Sequence, residues 1–190
     1  MLEHFRELSF SLDLVAFLAT IALHLVKTNR NIIRLYAIQS LMVASFLLLV
    51  GIAEGSRGFL FVALLTLCIK VIIAPLFFSR LVRRYGSRFT VNNYLSTPWT
   101  LIVLMGLVFF SYSQVFLPLG MLVPEAYGVF PLNLALIFVS IFMLINRRGA
   151  FSQMIGILSL ENSILLLATF IGIHQPIALE MGIVFDVVIW

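Results

Sequence analysis

The sequence predicts an all-α, polytopic integral membrane protein with about seven transmembrane helices. Of its 190 residues, 62% are hydrophobic and only 11% are charged, whereas a soluble domain has about 25% charged residues. The mean hydropathy is +1.14, so there is too little polar surface to cover a soluble globule. The apolar residues also form separate runs, most of them close to the ~20 residues that a helix needs to cross a bilayer.

The first three helices are predicted from apolar runs that end at charged or turn-forming residues. The first, Leu8–Val26, lies between the segment MLEHFRE and Lys27. That segment has mixed charge and no cleavage site after it, which is not the pattern of a cleavable signal peptide. The second helix, Ile32–Ile52, ends at the turn EGSRG, and the third, Phe59–Phe78, ends just before Arg80.

Four further runs complete the predicted set: Trp99–Phe116, Val129–Ile145, Phe151–Ile173 and the stretch from Leu179 to Trp190. The fourth helix begins with STPW, which predicts Thr97 as the N-cap and Pro98 at the first helical position. The last run has 12 residues, too few to span, so we expect the protein to continue past Trp190. The polar connectors are short, so residues 1–190 are predicted to form a single transmembrane domain.

Basic residues alternate between the connectors and predict the orientation. The first, third and fifth connectors are basic, through Lys27, Arg30 and Arg34, then Arg80, Arg83, Arg84 and Arg88, then Arg147 and Arg148. The second has one arginine, and the fourth and sixth have none. Because basic connectors stay in the cytoplasm, we expect the N-terminus outside, in a bacterial or archaeal cytoplasmic membrane. The net charge of +4 lies in these connectors and does not indicate a nucleic-acid partner.

Two segments suggest an internal repeat. Asn29–Leu49 resembles Asn146–Leu167, and each begins at a basic turn and ends in a serine followed by leucines. Each precedes a short loop and a helix with one buried charge, Lys70 in the first case and Asp186 in the second. Gene duplication and chance similarity between apolar helices both remain open.

Several chemistries have no residues to support them. The single cysteine, Cys68, lies in an apolar run and cannot form an internal disulfide, a redox pair or an iron–sulfur cage. The three histidines are scattered, and there is no phosphate loop or nucleophile motif. We therefore expect no metal, cofactor or catalytic centre in this chain, although it could belong to an enzyme complex.

Glu161 is the most informative residue, because it lies in the middle of the apolar run Phe151–Ile173. A charged residue there costs ~2.5 kcal/mol or more on insertion scales. Glu161 is interpreted as a proton-exchanging carboxylate, and the alternative is a paired or neutral residue that only joins helices. Asn162, Ser159 and Ser163 lie within one turn and could support it. Small residues at Ser152, Gly156, Ser159 and Ser163 predict a close helix contact.

Lys70 and Asp186 are the other candidates for an ion path. Lys70 is central in Phe59–Phe78 and needs a carboxylate or a water-filled cavity, and Pro75 is expected to break that helix nearby. Its structural alternative is an ion pair with Glu161 or Asp186. Asp186 follows the apolar stretch MGIVF and could serve the same path.

Other polar residues within the runs are interpreted as structural. Asp13 and His24 lie towards the two ends of the first helix, at the depth of the membrane interface. Gln39 and Gln114 are expected to join helices by hydrogen bonds.

Longer segments carry a family resemblance. The segment RRGAFSQMIGILSLENSILLLA and the later MGIVFDVVIW resemble membrane component E of hydrogenase-4 and formate hydrogenlyase type complexes. YAIQSLMVASFLLL and CIKVIIAPLF in the first half agree with it. The resemblance covers about Asn29–Trp190, and its most specific parts are Leu160–Asn162 and Ile69–Pro75. Residues 120–190 are similar to the three-helix K-type subunit of respiratory complex I and to the C subunit of multisubunit Na⁺/H⁺ antiporters.

The resemblance implies roles for two acids. The K-type subunit has an essential carboxylate in each of two neighbouring helices, and Glu161 and Asp186 would fill these roles. There is a departure, because the first of those carboxylates closely follows the glycine that matches Gly156, about one turn before Glu161. Asp186 also replaces a glutamate.

The resemblance also implies partners. This chain would be a membrane subunit of a complex-I-like, energy-converting oxidoreductase that helps to move protons or Na⁺. Its partners would be antiporter-like and anchor subunits and a soluble hydrogenase-like or complex-I-like module that holds the metal clusters. The alternatives are a subunit of a multisubunit cation/proton antiporter and a structural membrane anchor.

Overall fold

The computed structural model describes residues 2–85, 92–121 and 128–171, and nearly all of them are helical. The helices are α1 (Leu2–Leu25), α2 (Asn29–Glu54), α3 (Arg57–Thr66), a π-helix (Leu67–Ile73), α4 (Ala74–Tyr85), α5 (Thr97–Ser111), a 3₁₀ turn (Gln114–Phe116), α6 (Leu117–Met121), α7 (Phe130–Asn146) and α8 (Ala150–Phe170). Two short strands, β1 (Asn92–Asn93) and β2 (Arg147–Arg148), form an antiparallel pair. The all-α prediction is confirmed. The predicted seventh helix lies outside the described residues.

Two helical hairpins form the centre of the bundle. The hairpin α1–α2 packs beside the hairpin α7–α8, with α2 against α8 and α1 against α7. The rod formed by α3, the π-helix and α4 packs against α2, and α5 packs against α7. Apolar side chains from α1, α2, α3, α5, α7 and α8 form one core cluster. The two segments of the suggested repeat form most of α2 and α8, but a duplication stays a prediction.

One end of the bundle collects most of the basic residues, and we call it the basic end. It contains the α1–α2 connector with Lys27, the last turn of α4 and the strand pair β1–β2. The β1–β2 pair joins the start of α5 to the turn between α7 and α8. The third predicted connector begins later than expected, because α4 continues to Tyr85 and holds Arg80, Arg83 and Arg84 within the helix.

A left-handed glycine closes the opposite end of α2. Gly55 has φ 64° and caps the helix, and Ser56 N–H donates to the Gly51 carbonyl at 3.0 Å. Only glycine adopts this conformation without strain. The short turn predicted from EGSRG is thereby confirmed, and it places α3 antiparallel to α2.

The third predicted helix is distorted, but not as a break at Pro75. Leu67–Ile73 widens into a π-helix, with Lys70 at its centre, and α4 continues from Ala74 through Pro75. Ala74 N–H donates to the Ile69 carbonyl, five residues back. Proline has no N–H to donate, and the wider turn just before it keeps the rod helical.

The fourth predicted helix, Trp99–Phe116, is wrong in its last turn. The α-helix stops at Ser111, whose hydroxyl donates to the Val108 carbonyl at 2.7 Å. Tyr112 N–H then bonds to the Phe109 carbonyl, and a tighter 3₁₀ turn follows. Backbone bonds to the third residue back thus replace the α-helical ladder from Tyr112 onwards. The helix start is also one residue off, because Ser96 rather than Thr97 is the N-cap.

The exterior and interior suit a membrane protein. In the described residues, four helices are long and apolar enough to cross a membrane, or up to five if the bent pair α5–α6 is one span. Many large apolar side chains are exposed, such as Phe109, Met105 and Leu64, whereas serine, asparagine and glutamine side chains are buried. Six of the seven predicted spans coincide with helices, and the exact number of crossings stays a prediction.

Candidate functional site

An ion pair between two helices forms the centre of the candidate site. Lys70 Nζ lies 3.0 Å from Glu161 Oε1. The lysine is 1% exposed and the glutamate is 24% exposed. The π-helix carries Lys70 and α8 carries Glu161. A lysine this deeply buried needs a counter-ion, and Glu161 provides it at the edge of the bundle.

Asn162 connects this pair to α2. Lys70 Nζ donates to Asn162 Oδ1 at 3.3 Å, and Asn162 Nδ2 donates to Ser40 Oγ at 2.9 Å. Asn162 and Ser40 are fully buried. The amide therefore uses its acceptor for the ammonium and a donor for the serine, which fixes its orientation. Three helical segments, namely the π-helix, α2 and α8, meet at these side chains.

A second group of buried hydroxyls and amides lies on the α7 and α1 sides of the same helices. Ser140 Oγ of α7 is 3.2 Å from Ser159 Oγ and 3.0 Å from Ser163 Oγ. Gln39 Nε2 of α2 donates to Thr20 Oγ1 at 2.9 Å and to the Ser159 carbonyl at 3.4 Å. The two groups are adjacent, because Gln39 and Ser40 are consecutive in α2 and Asn162 and Ser163 are consecutive in α8. Together the two groups form what we call the central polar network.

The small-residue stripe of α8 is confirmed as a packing surface. Ser152, Gly156, Ser159 and Ser163 are all buried, and the two later serines contact α7 through Ser140. A Cβ on Gly156 would come within 2.8 Å of Leu144 Cδ2. Gly156 therefore leaves room for the Leu144 side chain, and the same face of α8 brings Ser159 and Ser163 within hydrogen-bond distance of Ser140.

The predicted site residues are largely brought together. Lys70, Glu161 and Asn162 are in direct contact, and Ser159 and Ser163 are part of the same network. Glu161 is one of the two partners that the sequence predicts for Lys70. Asp186, the other, lies outside the described residues. The proton-path role of all these residues stays a prediction.

Several buried polar residues that α1 and α7 bring together were not predicted from the sequence. Asp13 and His24 are 0% and 1% exposed, although the sequence suggested positions at the membrane interface. Asn133 Nδ2 donates to Asp13 Oδ2 at 3.0 Å, and His24 Nε2 donates to the Val139 carbonyl at 3.1 Å. Their only signal in the sequence is that they are polar residues inside apolar runs. Their partners could not be identified, because these lie 115 or more residues away in the sequence.

Arg147 lies in the predicted basic connector between α7 and α8, but its side chain is buried, which was not predicted. Its Nη2 donates to the carbonyls of Leu23 and Val26 at the end of α1. Burial lowers the pKa of Arg147 to about 10, which leaves the guanidinium charged at neutral pH. A cation at a helix C-terminus satisfies carbonyls that the helix cannot. Arg147 therefore holds the end of α1 against the α7–α8 turn.

What the site can do chemically follows from its composition. A lysine and a carboxylate can exchange protons, and amides and hydroxyls can carry hydrogen bonds between helices. Among the described residues, no group of three or more histidines, cysteines or acids could hold a metal ion.

Comparison with known proteins finds one relative without an assigned function. The chain is 26% identical over 160 residues to an uncharacterized protein of Mycobacterium tuberculosis, and the match spans 83% of this chain and 72% of that protein. No family model matches the chain, and no solved structure is significantly similar to it.

Proposed function

We propose that this chain is a membrane subunit of a complex-I-like, energy-converting oxidoreductase of the hydrogenase-4 class, in which Lys70 and Glu161 form part of a proton or Na⁺ path. The observation that carries the proposal is the buried Lys70–Glu161 pair joined to the central polar network. Ionisable residues inside membrane helices are expensive and mark ion pathways more often than simple packing.

The unequal exposure of the pair supports a path rather than a simple link between helices. Glu161 is partly exposed on the side of the bundle, whereas Lys70 is buried behind it. Glu161 can therefore exchange a proton with a neighbouring subunit or with water at that side. Protonation of Glu161 removes the negative charge 3.0 Å from Lys70 Nζ, and the change is transmitted to Asn162 and the groups behind it.

The position of the pair suits a distorted helix. Lys70 is central in the π-helix Leu67–Ile73, and single π turns inside α-helices occur frequently at functional sites. Buried charges beside irregular helix turns are typical of ion transporters.

The resemblance supplies the rest of the proposal. Redox chemistry would occur in soluble partner subunits that hold metal clusters, and this chain would contain none. Asp186 would be the second acid of the path. The chain would lie in a bacterial or archaeal cytoplasmic membrane with the basic end in the cytoplasm and the N-terminus outside.

A multisubunit cation/proton antiporter is the second candidate, because the same charged pair would serve ion exchange without a redox module. The third candidate is a structural anchor, for which the pair would only join helices. Mild-detergent extraction, capture of the tagged chain and mass spectrometry of its partners separate the first two. Hydrogenase-like or complex-I-like subunits support the first, antiporter subunits alone support the second, and no partners would refute both assemblies.

Ion translocation by the captured complex tests the role of the pair. We expect Glu161→Gln and Lys70→Met to abolish most of the proton or Na⁺ movement in reconstituted vesicles while the complex remains assembled. Glu54→Gln is the matched control, because Glu54 is an exposed acid at the end of α2. Normal pumping by intact Glu161→Gln complexes would refute the path and leave the structural anchor.

A further inference from the structure

A second buried acid, Asp13, lies away from the Lys70–Glu161 pair. Asp13 of α1 and Asn133 of α7 are both 0% exposed, and Asn133 Nδ2 donates to Asp13 Oδ2 at 3.0 Å. Asp13 precedes Thr20 by seven residues on α1, and Asn133 precedes Ser140 by seven residues on α7. Because Thr20 and Ser140 belong to the central polar network, the Asp13–Asn133 pair lies about 10 Å from it along both helices. It lies on the side away from the basic end.

The surroundings of Asp13 provide no counter-ion among the described residues. Its neighbours Ala16 and Phe17 on α1, and Leu132 and Leu136 on α7, belong to the apolar core cluster, to which α2 contributes Val43 and Leu47. The titratable group that interacts with Asp13 from the end of α5 is Tyr112, which is not a cation. An isolated carboxylate is very costly to bury, whereas a carboxylic acid is much less so.

Buried oxygen atoms without a hydrogen-bond donor indicate that the Asp13 carboxyl carries a proton. Asp13 Oδ1, Asn133 Oδ1 and Ser9 Oγ are buried and have no hydrogen-bond partner among the described residues. Ser9 lies one helical turn before Asp13, on the same face of α1. Asn133 donates to Oδ2, which makes Oδ2 the carbonyl oxygen of an acid. Oδ1, which accepts no hydrogen bond from the described residues, is then the oxygen that carries the proton.

We infer that Asp13, held by Asn133, is a second proton-binding carboxyl, protonated at neutral pH and exchangeable with water. Nothing in the sequence patterns assigned this role, because Asp13 was interpreted as structural. Asp13 lies on the opposite side of the central polar network from the basic end. If the proposed function holds, it serves proton entry or exit on that side. The proton-binding claim itself needs neither partner subunits nor transport.

Infrared spectroscopy of the full chain in phosphatidylethanolamine–phosphatidylglycerol vesicles at pH 7 tests the inference. A protonated carboxyl has a C=O stretch that carboxylates and amides lack. The chain has two aspartates, Asp13 and Asp186, so ¹³C labelling of the aspartate carboxyl identifies the residue type. We expect an acid band that shifts with this label and in D₂O, is lost in Asp13→Asn and persists in Asp186→Asn. Glu161→Gln should also retain it.

Two further conditions keep the test decisive. Should Asp13→Asn fail to fold, Asn133→Leu removes the donor to Oδ2 and should move the band to higher frequency, and an unchanged frequency would overturn the assignment. The inference is also wrong if the wild type shows no aspartic acid band at pH 7 or if the band does not shift in D₂O. Loss of the band on addition of Na⁺ but not K⁺, at constant pH, would instead make this a sodium site and overturn the proton assignment.

Discussion

Removal of either partner of the Lys70–Glu161 pair should destabilise the fold, and by unequal amounts. Glu161→Leu leaves the ammonium of Lys70, which is 1% exposed, without its carboxylate. Lys70→Met leaves a carboxylate that is 24% exposed and can become neutral by binding a proton. Breaking a buried ion pair by removing one partner costs about 3–5 kcal/mol. We expect Glu161→Leu to fall in that range and Lys70→Met to cost about 1–3 kcal/mol, because the exposed partner is less penalised.

The double variant measures the coupling energy between Lys70 and Glu161. Lys70→Met/Glu161→Leu removes both charges and leaves neither one stranded. Contacting residues in a shared network show coupling energies of about 0.5–3 kcal/mol, and a buried pair should lie at the upper end. The double variant should therefore be more stable than Glu161→Leu alone, since apolar replacement of a whole buried pair is often neutral.

Unfolding in mixed detergent micelles by stepwise addition of a denaturing detergent, followed by circular dichroism, measures these free energies. Leu64→Ala, at an exposed position of α3, is the control for a surface change in the same rod. Equal costs for the two single variants that add in the double variant would refute the reasoning. They would mean that Lys70 and Glu161 do not depend on each other.

Two other predictions concern the packing of the bundle. Gly156→Ala should cost about 0.5–1.5 kcal/mol, because the new Cβ meets Leu144 Cδ2 at 2.8 Å and this half-buried side chain must leave its rotamer. Gly106→Ala in α5 meets nothing within 4 Å and should stabilise the fold by up to about 1 kcal/mol. The same unfolding assay checks both variants, and equal effects would contradict the tight contact at Gly156. Arg147→Met should lower the unfolding midpoint and increase proteolysis at the end of α1. Arg148→Ala is the control and should have little effect, although the Arg148 guanidinium lies 4.3 Å from the centre of the Tyr94 ring. A larger loss of stability in Arg148→Ala than in Arg147→Met would refute the capping role.

The fold class and most helix positions could be predicted because they depend on local composition. Apolar run length and turn residues such as Gly55 determine where a helix can begin and end. The early stop of α5 at Ser111 was missed because Tyr112 and Ser113 bond to carbonyls three residues back, and hydropathy does not record this change. The π-helix around Lys70 was missed for a similar reason, since proline can be accommodated in more than one way.

The candidate site was predictable only in part. Lys70 and Glu161 stood out because a charge within an apolar run is costly wherever the run packs. Their contact was one of two alternatives, and Asn133 and Ser140 were missed because neutral polar residues are common in membrane helices. Asp13 and Arg147 were expected near the ends of the helices from their positions in the sequence. Those positions do not show that a neighbouring helix covers the two side chains.

The sequence by itself determined that the chain is helical and apolar and that two central charges within it need partners. These properties follow from the free-energy cost of burying polar groups, which depends on the type of each residue. Only the tertiary structure decided which partners they have. Lys70 is 91 residues from Glu161 in the sequence, and Asp13 is 120 residues from Asn133. Such pairs are set by the packing of α1, α2, α7 and α8, and helix packing depends on the shapes of several surfaces together.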